Sequence, residues 1–263
     1  MAPQTTTSPA GKHGTLISRP ATFLDVVAAE WIKLRTHRAV LIALLIGAAV
    51  TVAAGADNAA ANARWIKNGS GVLGNDPTRI TLFGMKFGLI AFAIAGALAM
   101  TSEYSSGMIR TSLTAVPARG QLLAAKATAF TAAAMITGLI ASVASFAIGS
   151  SLLSGAGVHV SPTDPGVLRA VIGGGLFLAT VGLLGLALGA FLRNAVAAVS
   201  ATFALFILPM VTKPPLQNHL PFEAGITITN ASSATALDGY LTLLAWTATA
   251  TGVAYLHMKH RDA

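Results

Sequence analysis

The chain has 263 residues, of which 54% are hydrophobic, 10% are charged and none is cysteine. Soluble domains carry about 25% charged residues, so this composition indicates an integral membrane protein, and the lack of cysteine excludes disulfides, thiolate nucleophiles and cysteine-based metal sites. The formal net charge of +8 does not indicate nucleic-acid binding, because the basic residues stand at the ends of apolar segments rather than in one aromatic-laced patch.

The N-terminal region divides into two parts. Residues 1–20 are rich in Thr, Ser, Pro and Gly, which predicts a disordered cytoplasmic N-terminus. Residues 21–38 have the periodicity of an amphipathic helix. Its apolar side carries Phe23, Leu24, Val27, Ala28, Trp31, Ile32 and Leu34, and its polar side carries Asp25, Glu30, Lys33, Thr36 and His37. We predict an interfacial helix in the membrane plane, docked on the membrane surface by Leu24, Val27, Trp31 and Leu34.

Residues 39–256 are predicted to form a domain of six transmembrane helices, because six apolar segments approach the roughly 20 residues that one crossing needs. The segments are Ala39–Ala56, Leu82–Met100, Ala127–Leu153, Ala170–Leu192, Ala195–Val211 and Leu241–Leu256. Only Arg193-Asn194 separates the fourth segment from the fifth, which predicts a tight helical hairpin. Ala54-Gly55-Ala56 also suits a signal-peptide cleavage site, but the long amphipathic region before it is atypical of a signal peptide.

The distribution of Lys and Arg predicts the orientation. With the N-terminus inside, eleven cations lie on the cytoplasmic side, the outer loops hold five, and Lys86 lies within the second span. This bias favours a multi-pass protein of the plasma membrane with both termini cytoplasmic, residues 257–263 being a cytoplasmic tail. We expect Lys86 to snorkel to the outer surface, and a substrate contact is the alternative.

Small residues predict where helices approach closely. Gly84 and Gly88 are spaced as a GxxxG pair, and so are Gly185 and Gly189. We interpret both pairs first as packing within the bundle and second as a dimer seam.

A short polar stretch between the second and third segments, residues 103–126, carries an unusual set of residues. Arg110, Arg119 and Lys126 outnumber the one acid, Glu103, which is typical of a cytoplasmic loop. Residues 111–116 are predicted to form one or two helical turns that end at Pro117. We expect Glu103 to pair with Arg110 or with a cation of a partner. An ordinary interfacial loop with orienting charges is the alternative interpretation.

The order of residues in this stretch resembles the cytoplasmic loop of ABC-2-type permeases, the membrane subunits of ATP-driven exporters. The resemblance rests on Glu103-Tyr104, Gly107, Ile109-Arg110-Thr111, Leu113, Pro117, Arg119, Leu122-Leu123 and Lys126. It implies a coupling helix between spans two and three that contacts a separate ATPase subunit. The coupling residues it implies are Glu103, Gly107, Met108, Ile109, Arg110, Thr111, Leu113, Pro117 and Arg119. The helix at residues 21–38 is similar to the connecting helix of that family.

The segment 212–239 before the last span resembles the extracellular element of the same family, in which short helices dip back toward the membrane. Pro214-Pro215, Leu220-Pro221 and Ala224-Gly225 punctuate it. A polar loop of this length is uncommon unless it is structured. A flexible loop is the alternative interpretation.

The resemblance implies an all-α permease subunit of an ATP-binding cassette exporter that moves a hydrophobic or amphiphilic substrate such as a drug, antibiotic, peptide or lipid. Its partners are then an ABC ATPase subunit, a second permease chain, identical or not, and membrane lipid, with no nucleic acid. The chain has no phosphate-binding loop and no hydrolase motif, so we expect a non-catalytic subunit that binds no cofactor, with ATP and Mg on the ATPase. A non-transporting sensor or assembly subunit and a secondary carrier or channel are the alternatives.

Overall fold

The computed structural model describes residues 22–69, 76–115, 118–213 and 216–261. Every regular element within these ranges is a helix, and the α-helices are numbered in chain order. They are α1 (Phe23–Thr36), α2 (Arg38–Lys67), α3 (Pro77–Thr81), α4 (Met85–Ser105), α5 (Met108–Ala115), α6 (Arg119–Ser154), α7 (Val167–Leu192), α8 (Ala195–Val211), α9 (Pro221–Ile226) and α10 (Ala236–Arg261). The predicted disordered segment 1–20 lies outside the described residues, and residues 257–261 of the predicted tail continue α10.

Four of the described helices, α2, α4, α6 and α7, are long and apolar enough to cross a membrane. The fifth predicted span coincides with α8, which is shorter, and the sixth lies within α10, which carries four threonines between Thr242 and Thr251. The helices are longer than the apolar runs, since α2 continues to Lys67 and α6 begins at Arg119. Their flanks are rich in alanine, which favours helix. The count of six spans remains a prediction.

Helix α7 is the centre of the bundle, because 72% of its apolar window is buried, against 28% in α2. Helix α4 packs between α2 and α7. A β-carbon at Gly84 or Gly88 would collide with Thr51 of α2, and a β-carbon at Gly185 would collide with Ala93 of α4. Gly189 similarly lies against Ala97 of α4. The structure therefore places both glycine pairs at crossings within this chain, where small residues let backbones approach closely.

The predicted hairpin between the fourth and fifth apolar segments is present. Helix α7 ends at Leu192, and Arg193 adopts the left-handed conformation with φ 53°. Asn194 then caps α8, its side-chain oxygen accepting a hydrogen bond of 3.0 Å from the Ala197 N–H. An asparagine in an extended conformation is a favoured helix N-cap, so two residues suffice to reverse the chain.

The segment between α8 and α10 is structured in its described part. Two 3₁₀ helices, Leu216–His219 and Thr227–Thr229, flank α9, and the side chains of Phe222 and Ile228 are buried. The flexible-loop alternative is therefore wrong for the described residues of this segment. We call the end of the molecule that carries this segment the α9 end, and the opposite end, which carries α5, the α5 end.

Arg169, in the first turn of α7, holds the residues that follow α9. Its guanidinium donates to the carbonyl oxygens of Asn230 at 3.1 Å, Ala231 at 2.9 Å and Ser233 at 3.4 Å. The Ser232 N–H also donates to Asp76, which precedes α3, at 3.0 Å. These contacts join residues 230–233 to two separate parts of the bundle.

Candidate functional site

Helix α1 begins with a complete capping box. The Thr22 hydroxyl accepts from the Asp25 N–H at 3.3 Å, and the Asp25 carboxylate accepts from the Thr22 hydroxyl at 2.7 Å and from the Thr22 N–H at 2.9 Å. The hydrogen bond from the Thr22 side chain, and then the one from its backbone, lowers the pKa of the Asp25 carboxyl from its usual value. The reciprocal pair satisfies donors that the first helical turn leaves open.

The face of α1 that packs on the protein differs from the predicted amphipathic division. Its buried residues are Val26, Glu30 and Leu34, and Val26 packs against Leu122 and Ala125 of α6. Val27 and Trp31 are partly buried, whereas Leu24 is 75% exposed. Assigning Glu30 to the solvated polar side was therefore wrong, because this carboxylate has ionic partners inside the protein.

Glu30 belongs to a group of four charged side chains, Glu30, Lys33, Glu103 and Lys126, which we call the ion cluster. Lys126 Nζ lies 2.5 Å from Glu30 Oε2 and 2.8 Å from Glu103 Oε1. Lys33 Nζ lies 2.6 Å from Glu30 Oε1 and 3.1 Å from Glu103 Oε1. The cluster joins α1, the last turn of α4 and the first part of α6.

Burial makes the four charges depend on one another. Glu30, Glu103 and Lys126 are 3%, 2% and 7% exposed, and two cations balance two anions. Buried charges are tolerated only when they are paired in this way. Partial burial disfavours the ammonium of Lys33, but its hydrogen bond to Glu30 and the charges of Glu103 and Glu30 outweigh that effect, so the pKa of Lys33 is raised.

Glu103 pairs with Lys33 of α1 and Lys126 of α6, and its expected pairing with Arg110 stays a prediction. The side chain of Arg110 lies outside the described residues, as do those of Ile109 and Leu113, and Pro117 lies outside them altogether. One carboxylate oxygen, Glu103 Oε2, is buried and has no hydrogen-bond partner among the described residues.

Helix α5 is attached to the ion cluster. Lys33 Nζ donates to the Ser112 hydroxyl at 3.0 Å, so one ammonium contacts α1, α4 and α5 together. Gly107 precedes α5 with φ 71°, a left-handed conformation in which glycine is favoured. Met108 is 43% exposed and Thr111 is exposed. Helix α5 therefore presents Met108 and Thr111 to the surface while the Ser112 side chain attaches it to the cluster.

Arg119 joins the beginning of α6 to α10. It is the first residue of α6, and its Nη1 donates to the Met258 carbonyl of α10 at 2.9 Å. Arg193, at the α7–α8 turn, places its guanidinium 5.4 Å from the centre of the Tyr104 ring of α4. These contacts bring the ends of α4, α6, α7 and α10 together at the α5 end.

Lys86 lies at the α9 end, in the first turn of α4. It is half-buried and lines a cavity of about 170 Å³ together with Arg79 and Glu223. A lysine in the first turn of a span is close enough to the helix end for its ammonium to reach the membrane surface, so this position is compatible with snorkelling.

Sequence reasoning missed the roles of Glu30, Lys33 and Lys126. Lys126 stands between buried alanines, Ala125 and Ala129, within a helical apolar pattern. A charge on the buried face of a helix near the membrane boundary calls for a partner of opposite charge. That signal could have identified Glu103 as a partner of Lys126, but nothing in the sequence pointed to Glu30 of α1 as the second acid.

Comparisons with known proteins agree with the fold. A family model described as ABC-2 family transporter protein matches residues 26–209, which include α1 from its fourth residue, the four long apolar helices and most of α8. A comparison with curated proteins finds no match.

Proposed function

This chain belongs to the ABC-2 transporter family, and we propose that it is the membrane subunit of an ATP-driven exporter in the plasma membrane. Helices α2, α4, α6, α7, α8 and α10 are the six spans, both termini are cytoplasmic, and the α5 end faces the cytoplasm. ATP and Mg bind a separate ATPase subunit, and the substrate is a hydrophobic or amphiphilic molecule such as a drug, antibiotic, peptide or lipid.

In this proposal α5 is the coupling helix. Its residues Met108, Ile109, Arg110, Thr111 and Leu113 contact the ATPase subunit, with Gly107 and Pro117 setting its two ends. The observation that carries the proposal is the position of Lys33, whose ammonium contacts Glu30, Glu103 and Ser112. A force on α5 therefore reaches the surface helix α1 and the span α4 through one side chain.

The ion cluster transmits that force. In each of its four ion pairs the nitrogen and oxygen atoms are at most 3.1 Å apart. Closely packed groups of this kind are compressed very little. Movement of α5 then carries α1 and the ends of α4 and α6 as one unit, and the α7–α8 hairpin passes the tilt toward the α9 end. Leu24, Val27, Trp31 and Leu34 are the residues by which α1 holds the membrane surface.

A second permease chain completes the pathway. Exposed apolar side chains cover the outer faces of α2 and α6, including Ile42, Leu45, Ile46, Ile136 and Ile140. Lipid and a second chain, identical or not, are the two occupants of such surfaces in a membrane.

The absence of cysteine from the natural sequence makes single-cysteine variants a direct test. Met108→Cys places one thiol on α5, and Ser161→Cys places one on the exposed loop between α6 and α7. A membrane-impermeant maleimide added to whole cells should label Ser161→Cys and leave Met108→Cys unlabelled until the cells are opened. The reverse result overturns the proposed orientation.

Partner contact is tested with the ABC ATPase encoded nearest to this gene. Met108→Cys and Thr111→Cys should cross-link to that ATPase in membranes, whereas Ser161→Cys should not. The double change Arg110→Ala and Leu113→Ala should abolish co-purification of the ATPase while leaving membrane insertion intact. Transport by reconstituted protein in the absence of ATP would instead support a secondary carrier. Co-purification with no ATP-dependent transport of any substrate would support a non-transporting subunit.

A further inference from the structure

A cavity of about 210 Å³ lies at the α5 end, between α1, α2, α4 and α6. Most of its wall is apolar, and the residues that form this part are Leu34, Val40, Ala99, Met108, Ala129 and Phe130. All four side chains of the ion cluster line the cavity, and Thr36, His37 and Ser102 complete the polar part of the wall. An apolar chamber with a few convergent polar groups is the usual form of a small-molecule site.

The ion cluster has unused hydrogen-bonding capacity. All three protons of the Lys33 ammonium have acceptors, on Glu30, Glu103 and Ser112. The Lys126 ammonium also carries three protons, but within the described part of the chain it donates only to Glu30 and Glu103. Glu103 Oε1 accepts two hydrogen bonds, whereas Oε2 of the same carboxylate accepts none from the described residues.

One donor and one acceptor therefore remain, on two residues whose charged groups are 2.8 Å apart. An unsatisfied buried carboxylate oxygen is costly, so a ligand that hydrogen-bonds to it is favoured. A hydroxyl group is both a donor and an acceptor. It matches this pair with one atom, accepting from Lys126 Nζ and donating to Glu103 Oε2 once the carboxylate turns this buried oxygen toward the cavity.

The balanced charges of the ion cluster favour a neutral ligand over a charged one. The two carboxylates are already balanced by two ammonium groups, so a charged ligand would bring an uncompensated charge into a buried place, which is strongly disfavoured. The apolar wall in turn favours a ligand with a hydrocarbon body.

We propose that this cavity binds a neutral amphiphile that carries a hydroxyl head on an apolar body. The head contacts Glu103 and Lys126, and the body lies against Val40, Ala129 and Phe130. The cavity is smaller than the roughly 300–1,000 Å³ of sites for drug-sized molecules, so it holds a small alcohol or the head end of a lipid with a free hydroxyl. The inference concerns binding alone, and it holds whether or not the chain couples to an ATPase.

Photolabelling of the purified full chain in phosphatidylcholine nanodiscs tests the proposal. The probes are an octanol that carries a diazirine and the corresponding octane without the hydroxyl group, and mass spectrometry maps the labelled segments. Labelling of segments 26–40, 99–108 and 126–130 is normalised to that of residues 136–143 of α6, whose exposed side chains Ile136, Leu139, Ile140 and Val143 report the probe concentration in the bilayer. We expect the alcohol to label the cavity segments roughly tenfold more than the alkane, because a hydrogen bond to a charged group gives about that discrimination.

Three variants separate the cavity from the rest of the chain. Ala129→Leu fills the cavity from α6, and Ala99→Val fills it from α4 if the first variant does not fold. The matched control is Ala124→Leu, a change of the same size at an exposed position of α6. The cavity-filling variants should lose at least four fifths of the specific labelling, and the control should keep it. Glu103→Gln, which replaces the charged acceptor with a neutral amide, should lower the alcohol-to-alkane ratio, because a hydrogen bond to a charged group is stronger than one to a neutral group.

Competition distinguishes the two sources of such a ligand. Protection of the cavity segments by diacylglycerol identifies a lipid, and protection by unlabelled octanol without protection by diacylglycerol identifies a small soluble alcohol. Equal labelling by the alcohol and the alkane, or alcohol labelling that survives Ala129→Leu and Ala99→Val, would overturn the proposal and leave a cavity that holds only water.

Discussion

Lys126 of α6 and Glu30 of α1 are 96 residues apart in the chain, yet their charged atoms lie 2.5 Å apart and both side chains are more than nine-tenths buried. This pair fixes α1, which lies outside the apolar bundle, to α6, one of the longest helices of the bundle. The same ammonium contacts Glu103, so the pair is also the point where α4 is joined to both.

Removing one charge from the Lys126–Glu30 pair should destabilise the protein strongly. For Glu30→Ala we expect a loss of about 3–5 kcal/mol in the free energy of unfolding, because a buried ammonium is left partly uncompensated. Thermal unfolding of the purified protein in detergent measures the change. Asp238→Ala is the control, since this carboxylate is exposed on α10 and should change stability by less than about 0.5 kcal/mol. The double variant Glu30→Met, Lys126→Met should be more stable than Glu30→Ala, and an additive loss would contradict the ionic interpretation.

Ser112 is expected to hold α5 against the cluster. Ser112→Ala removes the acceptor of one Lys33 proton, which should weaken this attachment by about 1 kcal/mol. Hydrogen exchange of the amides in residues 108–115 should then become faster, while exchange in α4 stays unchanged. Thr114→Ala is the matched control, because the Thr114 hydroxyl donates only within α5, to the Thr111 carbonyl. Alanine favours helix more than serine or threonine does, so helix propensity alone would slow exchange; equal acceleration in both variants would show that the effect does not depend on the Lys33 contact.

The raised pKa of Lys33 predicts how α1 docking depends on pH. A group whose pKa is higher in the folded state stabilises the fold fully below its unfolded value, here 10.5, and this stabilisation is lost as pH rises through the folded value. The stability difference between the natural protein and Lys33→Met should therefore be constant from neutral pH to about 10 and should shrink at higher pH. Thermal unfolding across this range measures it. A difference that already shrinks between pH 7 and 9 would contradict the assignment to Lys33.

Arg169 should control the order of the residues that follow α9. Arg169→Ala removes the guanidinium that three backbone carbonyls share, and we expect protease cleavage within residues 230–235 to become at least several-fold faster, as the cost of such hydrogen bonds implies. Arg169→Lys should restore little, because an ammonium lacks the planar fork that reaches several acceptors. Arg79→Ala serves as the control at the same end, since Arg79 is exposed. Unchanged cleavage in Arg169→Ala would show that Asp76 suffices to hold the segment.

The parts of the structure that depend on local pattern were predictable from the sequence. Long apolar runs gave the positions of α2, α4, α6 and α7, and the Arg193-Asn194 break predicted the hairpin that the structure confirms. Such features follow from hydrophobicity and from chain reversal, which neighbouring residues determine. Helix ends were less accurate because alanine-rich flanks continue a helix beyond the apolar run.

The ion cluster was not predictable in the same way. An amphipathic projection assigns every charged residue to the polar side of the helix, so it grouped Glu30 with Asp25 on that side of α1. Whether a charge is solvated or buried depends on which residues of other helices meet it, and Lys126 meets Glu30 from a helix that begins 83 residues after α1 ends. The coupling role of residues 108–113 stays a prediction, since it concerns a partner chain.

Helix α4 packs closely against two helices, against α2 at Gly84 and Gly88 and against α7 opposite Gly185 and Gly189. Backbones that touch without intervening side chains leave no soft layer to absorb a displacement. A helix packed in this way resists bending. We therefore expect an axial shift imposed on α4 near Glu103 to reach Lys86, at the other end of the helix, with little loss.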